Sequence, residues 1–207
     1  MRLLDLFCCA GGAAMGYHQA GFEVVGVDIN PQPRYPFEFH QGDALEFVRE
    51  HGHKFDAIHA SPPCQRYSEA VPVGHRAGHP DLIAAVRFLL VPNNKPYVIE
   101  NVEGAKSHLL NPIMLCGSFF DLPTIRHRYF EVWPGIQFTQ PKCNHAADPV
   151  LMTPAGSHSR RKGYRDPNTF TGVGIDWMTR KEVSQAIPPA YTRFIGEQLL
   201  SQLRRVA

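Results

Sequence analysis

The feature that most constrains the fold of this chain is the alternation of short apolar runs with helical segments in its first half. The pattern predicts buried strands over residues 2–8, 23–28, 37–40, 55–60 and 97–101, with helices over 13–20, 44–50 and 82–91 between them. A further strand over 129–133 and helices over 179–186 and 191–204 flank a loop-rich stretch. Strands that alternate with helices predict an α/β fold, a mostly parallel sheet with helices on both faces.

Length and composition exclude several classes of protein. A chain of 207 residues with 43% hydrophobic and 19% charged residues is globular and can bury one sizeable core. Its 5 cysteines are an odd number at irregular spacing, which favours a reducing compartment over a disulfide framework. Asp5, Asp28 and Arg87 break the apolar runs, so no membrane span is predicted. Asp5 also interrupts residues 1–17, which superficially resemble a signal peptide, and a buried strand is predicted there.

Polar residues follow three of the predicted strands, where a parallel sheet binds its ligands. A glycine turn, Cys9-Ala10-Gly11-Gly12, comes after the first strand and opens a helix, so backbone can approach an anionic ligand closely. Asp28 ends the second strand, where an acidic residue typically binds ribose hydroxyls, and Asp43 follows the third. The ordered set predicts a nucleotide-like cofactor. For each residue alone, the alternative is a turn or a helix cap.

The sequence Ser61-Pro62-Pro63-Cys64 follows the fourth predicted strand and offers a candidate nucleophile. Two prolines fix the backbone and present Cys64 at the rim of the sheet, which suits covalent catalysis. Glu100 and Asn101 end the neighbouring strand, so a thiol and a carboxyl are expected to converge. The alternative is a cysteine that acts as a small buried apolar residue.

Arg126-His127-Arg128 precedes the strand over 129–133. Strand alternation places Arg126 and Arg128 on one face and His127 on the other. Two arginines on the site side could hold a base carbonyl or phosphates. The alternative is a charge pair at the edge of the sheet.

Charge is unevenly distributed, although the net charge is only +2. Residues 158–207 carry nine Lys or Arg and four Asp or Glu, an excess of five positive charges. The densest run contains Arg160, Arg161, Lys162 and Arg165. This run predicts contact with a polyanion, and the alternative is a solvated loop.

A cysteine and a histidine, Cys143 and His145, lie in the same loop-rich segment, with Cys116 and His158 as possible partners. Their spacing fits no standard zinc site, so the sequence predicts no bound metal.

Together these motifs resemble the DNA (cytosine-5-)-methyltransferases in their compact phage or prophage form. The resemblance covers residues 1–133 and resumes near residue 175, where Gln185-Ala186-Ile187-Pro188-Pro189-Ala190-Tyr191 is similar to the family's last motif. The pairing of Pro63-Cys64-Gln65 with Glu100-Asn101-Val102 is its most specific part. The remaining motifs follow in family order: Asp5-Leu6-Phe7 with Gly11-Gly12, Val27-Asp28, Gly42-Asp43 and Arg126-His127-Arg128.

The resemblance implies a Rossmann-like class I fold and methyl transfer from S-adenosylmethionine to carbon 5 of cytosine in DNA. The catalytic set it implies is Cys64, Glu100, Asn101, Arg126 and Arg128. The residues it implies for cofactor binding are Phe7, Cys9, Ala10, Gly11, Gly12, Asp28, Ile29, Asp43, Ala44 and Pro63. Of these, Phe7 would pack on the adenine, Asp28 would bind the ribose and Asp43 would bind the adenine amine. The DNA-binding set is Gln65, Arg160, Arg161, Lys162 and Arg165. The implied partner is duplex DNA with a flipped cytosine, bound by a monomer in a bacterial or phage-infected cytoplasm.

The chain departs from the family pattern in three places. Cys9 replaces the first glycine of the turn, which would cost about 1 kcal/mol if that position needs a positive φ. Ser184-Gln185 replaces the usual Gly-Asn. Residues 134–177 form a much reduced target-recognition region between a core over 1–133 and C-terminal helices over 178–207. Sequence specificity is therefore expected to be short or low. The same chemistry on RNA or a free cytosine nucleotide, and a non-catalytic binding module, remain alternatives.

Overall fold

The structure is a computed structural model that describes residues 1–69, 71–122, 124–134, 138–139, 142–143, 145 and 171–206. Its strands are β1 (Arg2–Leu6), β2 (Glu23–Asp28), β3 (Glu38–Gln41), β4 (Ala57–Ala60), β5 (Tyr97–Asn101), β6 (Ile113–Leu115) and β7 (Arg128–Val132). Its helices are α1 (Gly12–Ala20), α2 (Ala44–His51), α3 (Val73–Arg76), α4 (Ile83–Leu90), α5 (Arg180–Gln185) and α6 (Pro189–Val206). In the part of the chain described, no helix has the length and apolar character needed to cross a membrane.

The strands form one sheet in the order β3-β2-β1-β4-β5-β7-β6. Pairing is parallel from β3 through β5, and β7 runs antiparallel to both β5 and β6. This arrangement confirms the predicted α/β fold with a mostly parallel sheet. Strand β6 was not predicted, because a strand of three residues is too short to show an alternating pattern.

Two apolar cores lie on opposite faces of the sheet, because side chains along each strand alternate between faces. Leu4 and Leu6 of β1 pack in the core that includes buried residues of α2 and α4. Leu3 packs in the other core, with buried residues of α1 and α6. Helices therefore cover both faces, as predicted.

The C-terminal segment folds back over the glycine turn at the end of β1. The Thr192 hydroxyl donates to the Ala13 carbonyl at 2.9 Å, and the Trp177 indole N–H donates to the Ala10 carbonyl at 2.9 Å. A Cβ atom added at Gly12 would lie 2.6 Å from the carbonyl oxygen of Ile187. The absence of a side chain at Gly12 therefore makes room for the chain's own backbone.

The glycine turn itself is built from left-handed residues. Phe7 has φ 58° and Cys9 has φ 44°, which explains why β1 ends at Leu6 and not at residue 8. Gly11 follows with φ 86°. Cys9 thus adopts the conformation in which a non-glycine residue carries a penalty of about 1 kcal/mol.

Candidate active site

The loop that carries Cys64 is held from both sides. The Asn101 side-chain amide, at the end of β5, donates to the Pro62 carbonyl at 3.0 Å. The amides of Tyr67 and Ser68 each donate to the Cys64 carbonyl at 2.9 Å. The half-buried thiol therefore projects from a backbone with little freedom. Asn101 makes the contact expected of a residue that supports this loop.

Glu100 lies beside this loop, almost fully buried at 5% exposure. The antiparallel register pairs Asn101 with Tyr129, which brings Arg128 to the same edge of the sheet. The Arg128 Nε atom lies 3.2 Å from Glu100 Oε1. Burial raises the pKa of the Glu100 carboxyl, and the opposing effect of Arg128 is smaller. Glu100 consequently holds a proton more readily than a surface carboxyl does.

A buried hydrogen-bond chain ends at Glu100. The Tyr17 hydroxyl lies 3.0 Å from His59 Nδ1, and His59 Nε2 lies 2.9 Å from the Ser61 hydroxyl. Burial lowers the pKa of His59 to about 3, so its ring is neutral and one nitrogen donates while the other accepts. With Tyr17 donating to Nδ1, Nε2 donates to Ser61, and the Ser61 hydroxyl donates to the Glu100 carboxylate. This series of hydrogen bonds therefore orients the Glu100 carboxylate.

The electrostatics of Cys64 follow from the same neighbours. Burial raises the pKa of the Cys64 thiol, and the nearby Glu100 carboxylate raises it further. Arg128 and Arg126 lower it and only partly offset those effects. The free thiol is therefore mainly protonated near neutral pH, and its reactive thiolate is a minor form stabilised by the two arginines.

Arg126 is buried beside the same site. One of its terminal nitrogens donates to the Ser184 carbonyl at 2.9 Å, and the Tyr191 hydroxyl donates to the Arg126 carbonyl at 2.6 Å. Burial, with repulsion from Arg128, lowers the pKa of Arg126 to about 9. Its Nε atom has no hydrogen-bond partner among the described residues. A ligand oxygen that accepts a hydrogen bond from this buried N–H would therefore stabilise the bound state.

Asp28 connects the end of β2 to the glycine turn. Its carboxylate accepts from the Cys9 amide at 3.0 Å and from the Asn30 amide at 2.9 Å. Each carboxylate oxygen can accept a second hydrogen bond, so a ribose hydroxyl can still be bound. The next residue, Ile29, is 65% exposed, which leaves an apolar surface directly beside this carboxylate.

The other predicted cofactor and DNA residues occupy varied positions. Asp43 is the N-cap of α2, since its Oδ1 atom accepts from the amides of Leu45 and Glu46 at 2.8 and 3.0 Å. Asp43 therefore has the helix-capping role that the sequence offered as the alternative to cofactor binding. Its second carboxylate oxygen does not cap the helix and is available for a ligand. Ala10 and Ala44 are buried within apolar clusters. Pro63 is half-buried and Gln65 is exposed on the Cys64 loop, whereas Arg160, Arg161, Lys162 and Arg165 lie outside the described residues.

Sequence reasoning missed Tyr17, His59 and Ser61 as neighbours of the site. The available signal was His59, a polar side chain inside the fully buried strand β4. A buried polar group requires a hydrogen-bond partner, so its presence there indicates a network. Trp177 was missed as well, because its contact is with Ala10, a residue distant in sequence.

Comparison with known proteins identifies relatives for more than half of the chain. Residues 1–114 match the family model described as C-5 cytosine-specific DNA methylase. The chain is 31% identical over 130 residues to the type II methyltransferase M.HindV of Haemophilus influenzae, covering 55% of this chain and 42% of that protein. It is 26% identical over 161 residues to M.HgiDI of Herpetosiphon aurantiacus, covering 64% of this chain and 52% of that protein. The chain thus spans about half the length of these two relatives.

A shorter relative and two solved structures complete the comparison. M.HgiGI of Herpetosiphon aurantiacus is 28% identical over 120 residues, which cover 51% of this chain and 94% of that protein. The Entamoeba histolytica methyltransferase EhMeth superposes with a TM-score of 0.65 at 16% identity, covering 98% of both chains. A prophage-encoded E. coli protein, provisionally described as a DNA modification methyltransferase, superposes with a TM-score of 0.52 at 23% identity, covering 74% of this chain and 53% of that one. At these identities the superpositions show a shared fold, that of methyltransferases.

Proposed function

The chain belongs to the C-5 cytosine-specific DNA methylase family, and from this premise we propose that it transfers a methyl group from S-adenosylmethionine to carbon 5 of cytosine in DNA. The observation that carries the proposal is the convergence of the Cys64 thiol with the buried Glu100–Arg128 pair. A nucleophile beside a carboxyl with a raised pKa suits addition to a ring that must be protonated as it is attacked.

In the proposed mechanism, the target cytosine is flipped out of the duplex into this pocket. The Cys64 thiolate adds to carbon 6, and the electron pair of the carbon 5–carbon 6 double bond moves toward ring nitrogen 3. Glu100, which burial keeps prone to protonation, delivers its proton to that nitrogen. Arg126 and Arg128 hold the cytosine carbonyl, and the Nε atom of Arg126, which has no partner within the described part of the chain, provides a donor. After carbon 5 has accepted the methyl group, its proton passes to solvent, and the electron pair of that bond restores the carbon 5–carbon 6 double bond as Cys64 departs as the thiolate. Ring nitrogen 3 then returns its proton to Glu100.

The residues around the glycine turn fit the cofactor that the family uses. S-adenosylmethionine supplies the methyl group as an electrophile when it is bound. Asp28 binds its ribose, and the exposed side chain of Ile29 with Phe7 offers an apolar surface to its adenine. Asp43 accepts from the adenine amine through the oxygen that does not cap α2. The buried carboxylate of Asp28, with acceptor capacity beyond its two backbone partners, supports this assignment.

Replacing Asp28 with alanine is expected to weaken S-adenosylmethionine binding by about 1–3 kcal/mol, or roughly 5- to 150-fold in Kd. A charged acceptor is lost, and the Cys9 amide loses its partner, so the turn also loosens. Titration calorimetry measures the effect. The matched control is Asp56→Ala, which removes a carboxylate that accepts the Arg2 amide at 2.7 Å outside the site and should leave Kd unchanged. An unchanged Kd in the Asp28 variant would remove Asp28 from the site.

DNA contact is assigned to Gln65 and to the basic run of Arg160, Arg161, Lys162 and Arg165. Replacing Arg160 and Arg161 with alanine is expected to weaken binding to all DNA sequences alike, since phosphate contacts carry little sequence information. The slope of log affinity against log salt should flatten by up to about 2. Fluorescence anisotropy over a salt series measures both effects.

The control for this prediction removes the same charge elsewhere. Arg204 and Arg205 are exposed in the last turn of α6, and alanine at both should leave the salt slope unchanged. If the Arg160/Arg161 variant keeps its slope but loses turnover on bound DNA, those residues belong to the catalytic site instead.

One experiment separates this function from its alternatives. The protein is mixed with S-adenosylmethionine labelled in the methyl group and, in parallel, with duplex DNA, RNA or dCMP. Label in DNA supports the proposal, label in RNA or dCMP identifies another cytosine substrate, and donor binding without label in any substrate indicates a non-catalytic module. The proposal also places a monomer in a bacterial or phage-infected cytoplasm, which the five free cysteines suit.

A further inference from the structure

Four side chains outside the proposed catalytic pocket bring nitrogen and sulfur atoms together. The ligand atoms of Cys116, His127, Cys143 and His145 all lie within 4.8 Å of one another. Cys116 directly follows β6 and His127 directly precedes β7, so the antiparallel pairing of these strands brings the two together. Cys143 and His145 come from the segment after β7. The sequence suggested His158 as the second histidine of this set, but His158 lies outside the described residues and the structure brings His127 to the other three.

Three of the distances within this Cys116–His127–Cys143–His145 cluster are close to those of a tetrahedral zinc site. Zinc binds sulfur at about 2.3 Å and nitrogen at about 2.0–2.1 Å, which separates two nitrogens by roughly 3.3 Å and a nitrogen from a sulfur by roughly 3.6 Å. The two histidine Nε2 atoms are 3.5 Å apart. Cys116 Sγ lies 3.5 Å from His145 Nε2, and Cys143 Sγ lies 3.7 Å from His127 Nε2.

Hydrogen bonding alone does not account for these contacts between the histidine nitrogens and the cysteine sulfurs. The nitrogen–nitrogen distance of 3.5 Å exceeds the usual range for a hydrogen bond between such groups. His145 Nε2 faces both His127 Nε2 and Cys116 Sγ, although a ring nitrogen has one proton or one lone pair to offer. Four groups that converge through their ligand atoms are instead arranged around a common point.

We propose that Cys116, His127, Cys143 and His145 bind a zinc ion as a closed structural site. Two thiolates and two imidazoles favour zinc over magnesium or calcium, which prefer oxygen ligands. Four protein ligands leave no open position for a reacting water, so the ion has a structural role. The Ser118 hydroxyl, which donates to Cys116 Sγ at 3.3 Å, supports one ligand from outside the coordination sphere. The sequence spacing matched no standard zinc site, and the sequence suggested His158 in place of His127, because tertiary structure brings the four ligands together.

The ion would tie the segment after β7 to the β6–β7 pair. His127 lies between Arg126 and Arg128 in sequence, so a metal on its ring also restrains the backbone that carries both arginines. Cys143 and His145 lie within the proposed recognition region over 134–177, so the ion would also anchor that region to the core. This inference stands independently of the proposed reaction.

The test uses the full chain, purified without chelators and analysed for metal by mass spectrometry. About one zinc ion per chain is expected. The variants Cys143→Ser and His145→Ala should each lose it, and His145 is exposed, so its replacement is compatible with folding. Ser118→Ala should weaken zinc binding by about 10–100-fold in competition with a chromophoric chelator. Cys64→Ser is the matched thiol control and should retain the metal whether or not the protein proves to be a methyltransferase.

Cobalt provides a second readout that does not depend on activity. Co²⁺ in place of zinc should give thiolate-to-metal charge-transfer absorption and the visible bands of a tetrahedral site, and Cys143→Ser should weaken the charge-transfer band. Chelation should lower the Tm of the wild-type chain but not that of Cys143→Ser. A folded protein that holds no zinc and gains no such bands with Co²⁺ overturns the proposal. Retention of the metal in both Cys143→Ser and His145→Ala overturns it as well.

Discussion

Replacing Cys64 with serine should abolish methyl transfer and leave both the fold and S-adenosylmethionine binding intact. A hydroxyl is a far weaker nucleophile than a thiolate, so the covalent step is lost. We expect kcat to fall by a factor on the order of 10³ or more, the scale seen when the nucleophile of a covalent mechanism is removed. Single-turnover transfer of labelled methyl to duplex DNA measures the loss, and calorimetry measures donor binding.

The control for this prediction is a second cysteine. Cys8 is buried in the core on the α1 side of the sheet, and Cys8→Ala should retain turnover. DNA that contains 5-fluorocytosine should trap a covalent adduct at Cys64. Fluorine replaces the carbon 5 proton whose loss would otherwise release the enzyme. An adduct at any of the other four cysteines would contradict the assignment of the nucleophile.

Replacing Glu100 with glutamine should lower kcat by about 10²–10⁴, the usual contribution of a general acid. Glutamine can donate a hydrogen bond to ring nitrogen 3 but cannot transfer a proton. The same change should make Cys64 more reactive toward iodoacetamide at a fixed pH. The Glu100 carboxylate raises the pKa of the Cys64 thiol, so removing that charge lowers the pKa and increases the thiolate fraction. Peptide mass mapping follows alkylation of Cys64 specifically.

A second buried glutamate provides the matched control. Glu131 of β7 accepts from Arg87 at 2.6 and 2.8 Å, an ion pair that resembles the Glu100–Arg128 pair but serves packing. Glu131→Gln should lower the Tm because it weakens a buried ion pair, and kcat of the folded protein should stay unchanged. Slower alkylation of Cys64 in the Glu100 variant would contradict the proposed coupling of the thiol to the carboxyl.

The sequence predicted two of the parallel strands to the residue, whereas the bounds of β1 and β4 differ from those predicted by two residues at one end. The strands over 23–28 and 97–101 coincide with β2 and β5, since each is a continuous run buried on both faces and ends in polar residues at the edge of the sheet. The ordered motifs placed Cys64 and Glu100 at neighbouring strand ends, and their convergence follows from parallel topology.

What the sequence could not supply were contacts between distant segments. A glycine indicates that space is needed but not what fills it, so the sequence did not show that the Ile187 backbone packs against Gly12. Periodicity reports burial and not partners, which is why the path from His59 through Ser61 to Glu100 remained hidden. Three members of the Cys116–His127–Cys143–His145 cluster were considered together from the sequence, but the fourth, His127, was not, because only the pairing of β6 with β7 brings it to the others.

The return of the C-terminal segment to the glycine turn determines when the protein can become functional during its synthesis. Strand β1 and helix α1 leave the ribosome well before helix α6, whose Tyr191 and Ile195 share a buried core with Tyr17 of α1. Until then the apolar face of α1 is exposed, and contacts this distant in sequence form slowly. A nascent chain that has emerged only as far as β7 already contains Cys64, Glu100 and Arg128, but its glycine turn is not yet covered by the C-terminal segment. We therefore expect such ribosome-bound chains to require chaperone protection and to methylate no DNA.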